Sequence, residues 1–198
     1  MCSSDLVIIQ TTGGTAYKGK PPSVALLIEL GREFPHFGYV KEEAHPVLPR
    51  MRELLAARPA IRRVFSAMGG FGWLHQARLG TEGLITERAV YADLLARIWS
   101  LMDSGADPDA LQDAFGKFLL MLNLRETIPG NQLRGYHLHV WKMRGVFTNM
   151  LSRSYGPNSS IPAKPILSEQ TLTADDIAEI ETRFAALKPH LKAVKPVV

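Results

Sequence analysis

Phe37-Gly38-Tyr39-Val40-Lys41-Glu42-Glu43 is a short apolar run that ends in a cluster of charge. An apolar run of four or five residues, rich in β-branched and aromatic side chains and bounded by turn formers, reads as a buried strand, since a helix needs ten or more. The strand predicted here covers 37–40. The same pattern recurs on either side. Upstream, residues 7–10 form a β-branched run that stops at Thr11, Thr12, Gly13 and Gly14. Between the two strands, Ser23 follows Pro21 and Pro22 and opens an apolar helical face of Val24, Leu26, Leu27, Ile28 and Leu30, which ends near 31–35. Downstream, 46–57 is a helix with Val47, Leu48, Met51, Leu54 and Leu55 at helical spacing. Residues 63–66 read as a strand, 70–79 as a helix, 83–86 as a strand and 89–102 as a long amphipathic helix. Four successive strand–helix units with strands this short imply parallel βαβ construction and an α/β fold. After residue 102 only helices are expected, at 107–122, 131–151 and 173–187, the last capped by Thr173 with Asp175 and Asp176 in its first turn. A Pro/Ser-rich connector, 157–172, separates the last two.

The 198 residues are 46% hydrophobic and 21% charged, ordinary for a soluble domain with a sizeable core. No apolar run is long enough for a transmembrane helix, and the start lacks the basic and apolar regions of a signal peptide, so a cytoplasmic protein that does not engage a membrane is expected. The net charge of +4 comes partly from Lys188, Lys192 and Lys195, with no Lys/Arg stripe interleaved with aromatics, so no nucleic-acid partner is expected. The one cysteine, Cys2, excludes an intrachain disulfide and every multi-cysteine metal site. Residues 1–6, Met-Cys-Ser-Ser-Asp-Leu, run into the first strand without turn or cap and read as a non-native scar.

Taken in order, Tyr39-Val40-Lys41-Glu42-Glu43, Phe65-Ser66-Ala67-Met68-Gly69-Gly70 and Leu79-Gly80-Thr81-Glu82-Gly83-Leu84-Ile85-Thr86 resemble the last strands of the dihydrodipicolinate synthase and N-acetylneuraminate lyase family, the pyruvate-dependent class I aldolases. In that family one strand ends in Lys followed by an acidic residue and the next ends in a Gly-containing loop. A Gly-x-x-Gly-[ILV]-[IM]-[ST] segment makes the eighth. The resemblance covers roughly residues 7 to 190. It implies a (β/α)8 TIM barrel of about 250 residues, of which 7–104 would be the C-terminal half, strands five to eight, and 105–198 a three-helix C-terminal extension. The first half would carry the family's Gly-Thr-Thr-Gly-type loop for the keto-acid carboxylate, and no segment here matches it. The chain alone is therefore expected to be inactive, with unpaired edges on its outer strands that favour aggregation.

The resemblance also implies chemistry. Alternation on a barrel strand sets Tyr39, Lys41 and Glu43 on the inner face and Val40 and Glu42 toward the helices. Lys41 would then be the Schiff-base lysine. Desolvation disfavours an ammonium, and a neutral amine adds to a ketone to give an imine that serves as electron sink for cleavage, condensation or dehydration. No metal or organic cofactor is needed. The substrate implied is a small-molecule 2-keto acid such as pyruvate or a keto-deoxy sugar acid, and family members are often homo-oligomers. Gln10 stands where the family usually carries a proton-relaying Tyr; Gln cannot titrate, so Thr11, Thr12 or a substrate group would take over, or Gln10 merely caps the strand. Glu43 would bind a substrate hydroxyl or act as acid/base, or else is a solvated loop carboxylate. Gly70, with Gly69, would let substrate approach the backbone, or else the two form a plain turn. Thr86 would reach the site from the eighth strand, or else is an ordinary strand Thr. Gly80 and Gly83 read as structural.

Two other classes remain. His137-Leu138-His139 resembles a His-x-His metal-dependent nuclease motif, but Leu133, Val140, Met143, Phe147 and Met150 recur at helical spacing, and residues two apart on a helix point about 200° apart. Leu55-Ala56-Ala57-Arg58-Pro59-Ala60 resembles the end of a glutathione-transferase helical domain, which would make this a non-catalytic interaction module and leaves 83–86 unexplained.

Overall fold

The computed structural model describes residues 6–12, 19–86, 88–129, 132–154 and 166–193. Residues 1–5, most of the expected scar, and 155–165, most of the expected connector, lie outside them, as do Gly13 and Gly14. The chain divides into two compact units, 1–87 and 88–198.

In the first unit, β1 (Ile8–Gln10), β2 (Tyr39–Lys41) and β3 (Arg63–Phe65) form a parallel sheet in sequential order. The register pairs Ile8 with Tyr39 and Arg63, Ile9 with Val40 and Val64, and Gln10 with Lys41 and Phe65. Helix α1 (Val24–Glu33) begins at Ser23, whose Oγ accepts the Leu26 N–H at 3.1 Å, and ends where the residue before Pro35 turns extended. It packs with α2 (Val47–Ala56) on one sheet face. Val24, Leu27, Met51, Leu54 and Ile61 bury Val40 and Val64 completely, with Ile9 partly buried beside them. The alternate residues Gln10, Tyr39, Lys41, Arg63 and Phe65 retain exposure on the opposite face. The parallel α/β expectation holds for these strands.

The expected fourth strand, 83–86, is reduced to a single parallel bridge between Ser66 and Leu84, bounded by Ser66 N–H to Gly83 O at 2.8 Å and Ile85 N–H to Ser66 O at 2.9 Å. Beyond Leu84 no further strand pairs with it among the described residues, so nothing extends the ladder. The helix expected at 70–79 starts only at Trp73 (α3, Trp73–Arg78), because Met68, Gly69 and Gly70 hold φ of 55°, 67° and 102°, outside α-helical space.

The second unit is mostly helical: α4 (Ala92–Ser104), α5 (Pro108–Thr127), α6 (Leu133–Met143) and α7 (Ala174–Leu187). Asp107 caps α5 through the Ala110 N–H at 2.9 Å, and Thr173 with Asp176 closes a capping box on α7. Two expectations fail. The 131–151 segment is not one helix: α6 stops at Met143, where Gly145 takes φ +74° and donates to Lys142 O. Strands do not cease after residue 102 either. Leu151–Ser154 (β4) pairs antiparallel with Ile166–Glu169 (β5), inside the expected connector. Phe147 and Met150 continued the helical period without belonging to the helix. The core holds a buried tyrosine chain: Tyr91 and Tyr136 hydroxyls lie 2.9 Å apart and Tyr136 donates to Met121 O at 2.8 Å. Burial pushes both phenols upward, so both stay protonated hydrogen-bonding groups.

His137 and His139 lie together on α6 and turn to different partners, His137 to Arg88 and His139 to Glu181 at 3.4 Å. Among the described residues no three His, Cys, Asp or Glu side chains gather as a metal site.

Candidate active site

The site is built on the ends of the three strands. Lys41 is the last residue of β2, half-buried, with Gln10 across one ladder and Phe65 across the other. Adjacent strands are about 4.8 Å apart, and residues paired in parallel register leave the same face, so the lysine stem rises between a carboxamide and an aromatic ring. Its ammonium forms no hydrogen bond or ion pair with any described residue. Position 83, beside the Phe65 ring, is glycine because its φ of +149° is one that side-chain-bearing residues rarely adopt; a Cβ there would only touch Phe65 Cδ1, at 3.8 Å.

Gln10 and Glu43 are brought together. Gln10 Nε2 donates to Glu43 Oε1, which draws the carboxylate to the row that holds Lys41. Thr11 is placed differently from expectation. It is fully buried, and its hydroxyl donates to Glu42 Oε1 at 2.7 Å while accepting the N–H groups of Glu43 at 2.9 Å and Ala44 at 3.1 Å. Thr11 therefore shapes the turn after Lys41 rather than facing a ligand. Glu42, also fully buried, is the centre of this network. It accepts the Ala44 N–H at 2.7 Å and Arg50 of α2 through two nitrogens, each at 3.1 Å, and its own N–H donates to Phe65 O. Arg50 continues to Pro22 O at 3.0 Å, ahead of α1. The turn carrying Lys41 and Glu43 is thus tied to β1, β3, α1 and α2.

Gly70 lies in the turn Met68–Gly70 after β3, buried, its N–H donating to Ala67 O at 3.1 Å. Met68 in that turn has φ 55°, a conformation costly for a side-chain-bearing residue and concentrated at functional loops. Thr86 is half-buried and does not join the lysine row. The register carries that row from Phe65 to Gly83, three residues short of Thr86. Phe65, the buried Glu42–Arg50 pair and the strained Met68 were not singled out from sequence. Only the outward parity of Glu42 signalled its partner on the helix layer.

The first unit is a parallel, helix-backed α/β arrangement with a lysine and polar groups gathered at the carboxyl ends of its strands, the end at which parallel α/β sheets in general bind ligands. No protein-family model matches the chain, and no curated protein matches it. Among solved structures, the dihydrodipicolinate synthase from Rhodopseudomonas palustris shares this fold with a TM-score of 0.67 and 17% identity over 91% of this chain and 55% of its own. The N-acetylneuraminate lyase from Fusobacterium nucleatum does so at 0.59 and 19% identity, over 94% of this chain and 55% of its own. The chain spans about half the length of these structures.

Proposed function

We propose that the protein carrying this chain is a Schiff-base-forming lyase, an aldolase or dehydratase acting on a 2-keto acid such as pyruvate or a keto-deoxy sugar acid, with Lys41 as the imine-forming nucleophile. In this reading β1, β2, β3 and the segment at Leu84 are strands five to eight of a (β/α)8 barrel, residues 7–104 its C-terminal half and 105–198 a helical extension. Strand–helix units preceding β1 would close the barrel and complete the site. Gln10 and Glu43 would meet the substrate from β1 and the turn after β2, Gly70 and Thr86 from the later loops, and Thr11 would act through the turn it holds.

The observation that carries this proposal is the placement of Lys41: a strand-end amine between Gln10 and Phe65 with no partner among the described residues, on a turn locked by a buried ion pair. A lysine serving only structure or solubility needs no such buttress. Borohydride reduction of the complete polypeptide with pyruvate should add the reduced ligand's mass to the tryptic peptide containing Lys41. Lys41→Arg should abolish trapping and turnover, since a guanidinium forms no such imine. Trapping that survives in Lys41→Arg would sink the assignment.

A further inference from the structure

Resting on the lyase reading above, we propose that the Glu43 carboxylate is the base that moves the proton in this reaction, and that Gln10 is the positioning residue that holds it. Gln10 and Lys41 are register partners on neighbouring strands, so their side chains leave one face side by side. Gln10 Nε2 donates to Glu43 Oε1, which brings the carboxylate to that pair. The backbone of Glu43 is fixed as well, its N–H donating at 2.9 Å to the buried Thr11 hydroxyl. Glu43 Oε2 makes no hydrogen bond with any described residue and is open to a ligand. A carboxamide neither takes up nor releases a proton near neutral pH, so Gln10 cannot itself be the relay. It can orient a group that is one.

The step balances with these residues and one proton from solvent. The neutral Lys41 Nζ adds to the keto carbon, and the carbinolamine hydroxyl takes up that proton and leaves as water, giving the protonated imine. Glu43 then takes a proton from the carbon next to the imine carbon. The C–H electron pair becomes the new C=C bond, and the C=N π pair returns to the Lys41 nitrogen. The products are a neutral enamine and a protonated Glu43, which returns the proton in the reverse direction. A general base so placed contributes roughly 100-fold to 10,000-fold in rate.

The complete polypeptide would be incubated with pyruvate in D2O, following methyl exchange by proton NMR, with borohydride trapping at Lys41 measured in parallel. Glu43→Gln should keep the Lys41 adduct and lose about 100-fold or more in exchange. Gln10→Leu, which removes the donor, and Gln10→Glu, which sets a like charge against Glu43, should also keep the adduct and lose exchange by roughly tenfold, the effect of a misplaced catalytic group. Gln10 is exposed and Glu43 half-buried, so matching thermal melts will verify that the variants fold. Unchanged exchange in Glu43→Gln overturns the proposal and leaves the Lys41 assignment standing. Adduct and exchange lost together in both Gln10 variants would make Gln10 merely structural. No adduct in the wild type would remove the lyase reading and this proposal with it.

Discussion

Arg50 clasps Glu42 through Nε and Nη2, each 3.1 Å from one carboxylate oxygen, and the Glu42 side chain is wholly out of solvent. Removing one partner of a buried pair strands the other charge, at a cost of about 3–5 kcal/mol. Arg50→Met should lower stability by that order in chemical denaturation. Arg58 and Glu82 also pair, but the Arg58 side chain is 45% exposed, and Arg58→Ala should cost less than about 1 kcal/mol. Equal losses would mean that the buried network does not hold the Lys41 turn.

Gly31 and Gly116 are both helical glycines with opposite surroundings. A Cβ at Gly31 of α1 would come within 2.5 Å of the Ala60 carbonyl oxygen, whereas at Gly116 of α5 it would meet nothing within 4 Å. Alanine is favoured over glycine in a helix by about 0.8–1 kcal/mol. Gly116→Ala should therefore raise the melting temperature. Gly31→Ala should lower it, because pushing α1 off the backbone at Ala60 costs about 1–3 kcal/mol. A stabilised Gly31→Ala would disprove the close packing of α1 on the loop before β3.

His190 gives the helical unit an acid-sensitive element. Burial, followed by the nearby Lys117 and Arg97 charges, holds its pKa below 6.5, against the opposing pull of Asp113 at 3.1 Å. With the folded value depressed, the unfolded chain binds the extra proton. The stabilising contribution is complete above the ordinary histidine range and is lost as pH falls through 6.5 toward the folded value. His190→Gln should flatten the fall in denaturation midpoint between about pH 7 and pH 5. Asp93 acts at lower pH. Burial raises its pKa, but the Arg144 guanidinium at 2.7 and 2.8 Å and the Lys192 amide more than offset this. Its contribution is complete above the usual carboxylate range and is lost as pH falls through that range toward the lower folded value. An unchanged profile in His190→Gln would show that another group sets the acid limb.

The sequence by itself determined the parallel strand–helix order of the first unit and the position of Lys41. Short β-branched runs and helical spacing are local signals, and a single strand's parity already sent Val40 and Glu42 to one side and Lys41 to the other. It also determined that His137 and His139 share a helix, since the apolar period through Leu133 and Val140 is local. What only tertiary structure decided depends on pairing between distant residues. The β4–β5 ladder joins Leu151 to Glu169 across an intervening stretch, and nothing local distinguished it from helix and connector. The 83–86 segment has strand-like residues, yet a strand is made by its neighbours, and among the described residues Leu84 bridges Ser66 alone. The resemblance offered both Thr11 and Glu43 to the site, the first as a stand-in relay and the second as a hydroxyl-binding or acid/base group. Glu42 and Arg50 then drew the Thr11 hydroxyl into the core, whereas the half-buried Glu43 carboxylate accepts from Gln10 on the neighbouring strand end, because a buried charge must be fully hydrogen-bonded while a partly solvated one need not be.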